Sequence, residues 1–406
     1  MAWNITNEDF FDVSALDNLK LKAAWGQNGN QGVGPYSTLA RVNNGIAAKI
    51  GYEFASDPGV VYYGLKQTNL ANSELGWEQT DSWNFGFESE WFNSRLFVDL
   101  DVYASKTSDQ IFQRVIPSMT GFTSMITSLG RVDNNGLELT VRTVNIQKND
   151  FTWSSALTFW KNWNKIAELY GEDLNGDGVE DDDIASGYFI GHPVRTIYGY
   201  ERIGTVQEED TEYMELNGVP AGYPKYKDLD GEPGISANDR KILGYRDPNF
   251  SLNLSNTIAY KDFELYFMLQ GIFGGNDYFL NSNPWDYRNA GNGSRKNSTM
   301  YAIPYWTPEN RSNTYITPAF PEQGDGRFLG LQSRGFVRLQ DLSLSYRFNQ
   351  PWVKDINISN LKVFFAAKNL FTITNWGGDD PEIGSPQRSG TYPSPTTFSL
   401  GLNLSF

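Results

Sequence analysis

Two acidic stretches carry the side chains best placed for chemistry. In "DLDGEPGISAND", residues 228–239, Asp228, Asp230, Glu232 and Asp239 stand at positions 1, 3, 5 and 12 of a short loop. Ser236 falls at position 9 and the Gly234 carbonyl at position 7. Calcium takes roughly six to eight oxygens at about 2.3–2.6 Å, and this spacing is how one loop can supply them. Pro233 stands where such a loop wants glycine for its sharp turn. In "DLNGDGVEDDD", residues 173–183, that glycine is kept as Gly178. Asp173, Asn175, Asp177 and Asp181 supply the oxygens there, and Ile184 takes position 12. Seven acids and no base lie in 171–183, so they repel one another unless a cation or water screens them. Calcium is the ion both loops would take. The plain alternative is a set of solvated Asx turns on an acidic loop.

Other chemistry is thin. There is no Cys, hence no disulfide, thiolate metal site or thiol nucleophile. His192 is the single histidine and lies beside Pro193 at the start of an expected strand. No P-loop is present, and the Gly-rich stretch 26–34 lacks dinucleotide spacing. No catalytic residue and no organic cofactor are therefore expected, and the chain reads as a non-enzyme. A net charge of −15 argues against nucleic acid, whose phosphates it would repel. The start "MAWNITNEDFF" has neither a basic nor an apolar leader region. If the protein is exported, a longer precursor is expected.

These loops need elements to hold them, and the elements are strands. The chain ends "FSLGLNLSF", in which Phe398, Leu400, Leu402, Leu404 and Phe406 alternate with small or polar residues. A period of two gives a strand with one apolar and one polar face. The same alternation recurs at 19–25, 83–91, 96–102, 137–141, 151–159, 250–260, 263–269, 342–348 and 361–365, ten strands in all. One or two more are expected near 195–207. Short turns at 93–94, 147–150 and 261–262 alternate with long loops at about 27–82, 105–136, 272–335 and 372–395. Such alternation is the pattern of outer-membrane barrels, and it puts the carboxyl terminus at the short-turn end. Between Phe159 and Phe250 the parity requires an even number of membrane strands. Aromatics make up 15% of the chain while mean hydropathy is only −0.47, as expected where apolar and polar residues alternate. Trp83, Trp91, Trp153, Tyr260 and Tyr346 sit near strand ends, where interfacial girdles lie. A soluble extracellular all-β carbohydrate-binding protein would share much of this pattern and is the alternative.

Several stretches resemble one family in order along the chain. "LKLKAAWGQNGNQ" (19–31), "ANSELGWEQT" (71–80), "IPSMTGFTSMITSLGRVDNNGLEL" (116–139) and "DPNFSLNLSNTIAYKDFELYFMLQG" (247–271) are similar to elements of SusC/RagA-type TonB-dependent transporters. "YWTPEN" (305–310), "NLFTIT" (369–374), "DDPE" (379–382) and the terminal Phe406 follow in the family's order. One departure is Ser128-Leu129-Gly130, where the family usually has Asn-x-Gly.

The resemblance implies an all-β fold: a transmembrane antiparallel β-barrel, of which residues 1–406 are the carboxyl-terminal portion. Plugged transporters of this class have about 22 strands, and the plug domain and signal peptide are expected to lie outside this chain. It implies TonB-dependent import across the cell outer membrane, working with a SusD-like surface lipoprotein and the TonB complex, with outer membrane lipid around the barrel. The expected substrate is a glycan or oligosaccharide, with peptides or another nutrient as alternatives. The long loops would be extracellular and the carboxyl terminus periplasmic. The loop 272–335 carries Trp285, Tyr287, Tyr301, Tyr305 and Trp306 among amides and glycines, which suits either sugar stacking or packing of the loop on itself.

Overall fold

The structure is a computed structural model. It describes residues 1–32, 34–44, 51–53, 58–128, 130–278, 304–317, 331–355, 358–378, 380–384 and 393–406. Its frame is one antiparallel sheet of 11 strands. In chain order these are β1 (Ala2–Asn4), β2 (Leu16–Asn30), β3 (Glu78–Trp91), β4 (Leu96–Ser108), β5 (Arg131–Lys148), β6 (Phe151–Glu168), β7 (Pro248–Tyr260), β8 (Phe263–Gly274), β9 (Phe336–Phe348), β10 (Asn360–Thr374) and β11 (Thr397–Ser405). Neighbours in the sheet are neighbours in the chain. All ten expected strands are present, and β1 is a short addition that pairs only with Lys20–Lys22. The sheet does not close on itself: β1 and β11 are its two edges.

The alternation sets the faces. Leu21, Phe85, Val102, Leu344, Phe365, Leu400 and Leu402 stay exposed on one side of the sheet. The opposite face carries the charges. Lys22 lies there 2.7 Å from Asp99 and 2.8 Å from Asp101, with Glu88 at 3.4 Å. Lys362 pairs with Glu264 at 3.2 Å on the same face. A sheet with a polar side and an uncovered apolar side is what a membrane wall requires.

Two glycines on the polar face admit an aromatic ring directly. A Cβ at Gly136 would lie 2.1 Å from the Tyr103 ring, and one at Gly401 would lie 2.1 Å from the Phe364 ring. Each glycine stands opposite its aromatic in register.

Every short connection lies at one end. β3 turns into β4 through Phe92, Asn93 and Ser94, all with φ near +58°. β7 turns into β8 through Lys261 and Asp262, with Lys261 at φ 52°. The 169–247 segment holds no strand of the main sheet, because β6 pairs directly with β7. The parity expectation is met by zero strands. The strands expected near 195–207 do form, as Thr196–Tyr200 and Arg202–Thr205, but outside the membrane sheet. They pair with Arg240–Tyr245 and Pro224–Tyr226 in two small two-stranded sheets of the long loop. Local β propensity was real there, but the segment lacks the length and uniform apolar face of a wall strand.

Candidate lumen wall and loop cluster

The polar face is built from two layers of side chains, with the long loop above them. Nearest the short turns lie Lys20, Lys22, Glu88, Asp99 and Asp101, drawn together because direct cross-strand partners stand about 5 Å apart. Further up, amides and aromatics take over. The Tyr103 hydroxyl donates to Asn162 Oδ1 at 3.1 Å, and Asn164 Nδ2 donates to Asn134 Oδ1 at 2.7 Å. Trp160 stands in the row of Glu138 and Asp101 and remains 38% exposed. Above them the Val194 N–H donates to Asn164 Oδ1 at 2.9 Å, tying the long loop to the wall.

The loop 169–247 and the segment 304–317 form one packed unit. Val206 and Ile316 are fully buried, and Trp306 is 8% exposed. Trp306 Nε1 donates to Gln207 Oε1 at 3.0 Å, and a Cβ at Gly222 would lie 2.5 Å from the indole, so the glycine makes room for the ring. The Arg202 guanidinium donates to the Thr314 carbonyl at 2.7 Å. Burial holds its pKa below the usual arginine range. Trp306, expected as either a sugar platform or a packing residue, is thus a packing residue. Tyr305 is 43% exposed. Trp285, Tyr287 and Tyr301 lie outside the described residues, as do Leu129 and Asp379.

In the 228–239 loop, Asp228, Asp230 and Asp239 bring carboxylate oxygens within 4.8 Å of one another, and Glu232 is not in that group. Asp239 is buried. It accepts from the backbone N–H groups of Leu229 (2.6 Å), Ser236 (2.7 Å) and Asp230 (3.3 Å). The Leu229 and Ser236 N–H groups hold its pKa below the usual carboxylate range. Ser236 and Asp239 together make a capping box for the turn Ala237–Asp239. Asp228 accepts from Gly231 N at 2.7 Å, and Asp230 from Glu232 N at 2.9 Å.

The 173–183 loop is folded around its own backbone. Asp173 accepts from the N–H groups of Gly176, Asp177 and Gly178, and Asp181 from Leu174. Asn175 accepts from Asp177 N, and Asp177 from Val179 N. Among the described residues this loop gathers no ligand-like trio. His192 shares a hydrogen bond with the Tyr245 hydroxyl at 3.0 Å.

A second buried feature had only the DDPE sequence as its signal. Arg338 and Asp380 side chains are each 4% exposed and 2.7 Å apart. Arg338 also reaches Glu382 at 2.9 Å and Thr372 at 3.0 Å. Burial pushes the Asp380 carboxyl up, but the Ser394 and Glu382 N–H groups and Arg338 outweigh it and leave the pKa low. The loop after β10 is thereby pinned to the wall.

Known proteins show the same architecture. TonB-dependent receptor P3 of Formosa agariphila is 31% identical, over 100% of this chain and 41% of its own length. TonB-dependent receptor SusC of Bacteroides thetaiotaomicron is 27% identical, over 100% of this chain and 39% of its own. The structure of the RagAB peptide transporter superposes with a TM-score of 0.70 at 24% identity, over 100% of this chain and 43% of that one. That likeness shows the fold. The chain thus spans about two-fifths of the length of these relatives. They are receptors and transporters, not enzymes, and theirs is an outer-membrane family. With a sheet of this topology and a match over residues 10–370, the chain belongs to the TonB-dependent receptor-like β-barrel family.

Proposed function

We propose that this sheet is the carboxyl-terminal portion of the barrel of a SusC-like importer of oligosaccharides. The observation that carries the reading is the one-sided geometry: all short turns at one end, all long loops at the other, and an uncovered apolar face. In this reading the long loops are extracellular and the carboxyl terminus is periplasmic. The two open edges are met by upstream strands, since unpaired backbone groups in hydrocarbon cost several kcal/mol each. A plug reached by TonB couples the barrel to energy, and a SusD-like lipoprotein covers the loop cluster. The amide and aromatic wall of Tyr103, Asn134, Trp160 and Asn162 supports sugar over a charged cargo, because it offers flat faces and neutral hydrogen-bonding groups. Deleting the gene should abolish TonB-dependent growth on oligosaccharides. Residues 1–406 alone, behind a signal peptide, should not restore it, whereas the sheet joined to its upstream strands should. Growth lost only on peptides would replace the glycan reading by a peptide one.

A further inference from the structure

The polar face is hollowed near the short turns. Register places Glu90, Phe97, Arg142, Ala156 and Ser255 in one row across β3 to β7. A cavity of about 400 Å³ lies along this row. Ser154 and Thr257, the next pair toward the turns, line it too, as does Arg95 from the turn between β3 and β4. Because side chains on one strand alternate between faces, Arg142 and these two hydroxyls share the polar side, away from lipid.

The cavity has more cation than anion. The Arg142 guanidinium lies over the Phe97 ring, 4.1 Å from its centre. Such a contact holds the cation in place without neutralising it. Among the described residues Arg142 has neither a carboxylate partner nor a hydrogen-bond acceptor. Arg95 donates to the carbonyls of Val144 at 3.1 Å and Asn145 at 3.2 Å, and it too meets no carboxylate among the described residues. Glu90 is the one acid in the lining. It accepts from Ser94 Oγ at 2.9 Å, and the Phe97 strand stands between it and Arg142. Two guanidinium groups against one carboxylate leave a single positive charge. A carboxylate balances that charge, whereas a phosphate group with close to two charges overshoots it. The Ser154, Ser255 and Thr257 hydroxyls make no hydrogen bond among the described residues, and Ala156 opposite Arg142 leaves room beside the guanidinium. An open guanidinium fork with free hydroxyls next to it is the donor set a carboxylate takes. We propose that this cavity binds one carboxylate presented inside the barrel, paired with Arg142 and hydrogen-bonded by Ser255 and Thr257. Two sources share that chemistry: an acidic side chain from the upstream part of the protein, and a small free acid. The site does not depend on whether the cargo is a glycan or a peptide.

The test is carbodiimide coupling in the complete transporter carrying Arg142→Lys, which puts an amine where the guanidinium was. A carboxylate in contact with that amine condenses to an amide, the carbodiimide taking up the water as its urea, and peptide mass spectrometry reads the product. A cross-link from position 142 to an upstream Asp or Glu assigns the protein's own side chain. A glucuronoyl amide at position 142, formed with added sodium glucuronate about fivefold faster than at Lys148, assigns a free acid. Lys22, at 2.7 Å from Asp99 and 2.8 Å from Asp101, is the internal control for coupling. Coupling at Lys22 with neither product at position 142 would overturn the proposal, and so would glucuronoyl transfer at equal rates to position 142 and Lys148. If the variant does not fold, phenylglyoxal modification of Arg142 in the wild type takes its place. It should run about fivefold slower than that of free arginine, either with no addition or once glucuronate is present. A rate equal to that of free arginine in both conditions would overturn the site.

Discussion

Depth in the membrane should decide what an arginine costs on the apolar face. On β6, Trp153 and Trp163 lie 10 residues apart by their numbers. At about 3.4 Å per residue that is roughly 34 Å of strand. A tilt of about 40° reduces it to roughly 26 Å across the membrane, close to the apolar band of such barrels. Leu157, four residues beyond Trp153, then sits about 10 Å above the lower girdle, near mid-depth. Leu157→Arg should destabilise the barrel by about 2–4 kcal/mol, a factor of roughly thirty to a thousand in the folding equilibrium. Leu265 is two residues from the end of its strand at Phe263, about 5 Å deep. Leu265→Arg should cost about 1 kcal/mol or less. Thr158, next to Leu157 but on the polar face, should accept arginine with little loss. The assay is reversible urea unfolding of the complete barrel from lipid vesicles. Equal costs for Leu157→Arg and Thr158→Arg would refute the assignment of faces, and equal costs for Leu157→Arg and Leu265→Arg would refute the depth scale.

Other consequences follow from the loops. Asp380→Ala leaves Arg338 buried with only Glu382 opposite it, and should cost about 3 kcal/mol, visible as faster proteolysis of the loop after β10. Asp239 has a lowered native pKa, so its contribution is present above the ordinary carboxylate pKa of about 3.9 and is lost as pH falls through the native value. The protection factors of the Leu229 and Ser236 amides, measured against their intrinsic exchange rates at each pH, should therefore fall only in strong acid, and a fall near neutral pH would contradict the clamp. Calorimetry should detect one calcium site that disappears in Asp228→Ala. If no calcium-dependent heat is seen, the loop serves only to hold its own backbone.

The wall was legible because its rule is simple. Each strand repeats one apolar and one polar side, and Leu100, Leu157 and Leu402 fall where period two places them. The loop strands at 196–205 misled for the same reason, since strand propensity does not say which sheet a strand joins. The calcium spacing picked out Asp228, Asp230 and Asp239, which the fold brings together, and also Glu232, which stands outside that trio. Arg338 with Asp380, and Trp306 with Gln207, join residues 42 and 99 positions apart, and no local pattern carries such a partnership.

The ring of Phe364 over Gly401 bears on how such a sheet is zipped shut. Sliding β11 by one residue would turn its leucines to the wrong side. Sliding it by two would bring Ser399 or Asn403 beneath the ring, where a Cβ has no room. The last strand therefore has a single stopping place against its neighbour. Its far edge is thereby fixed in height and phase, so the seam that closes the barrel inherits its alignment from one glycine.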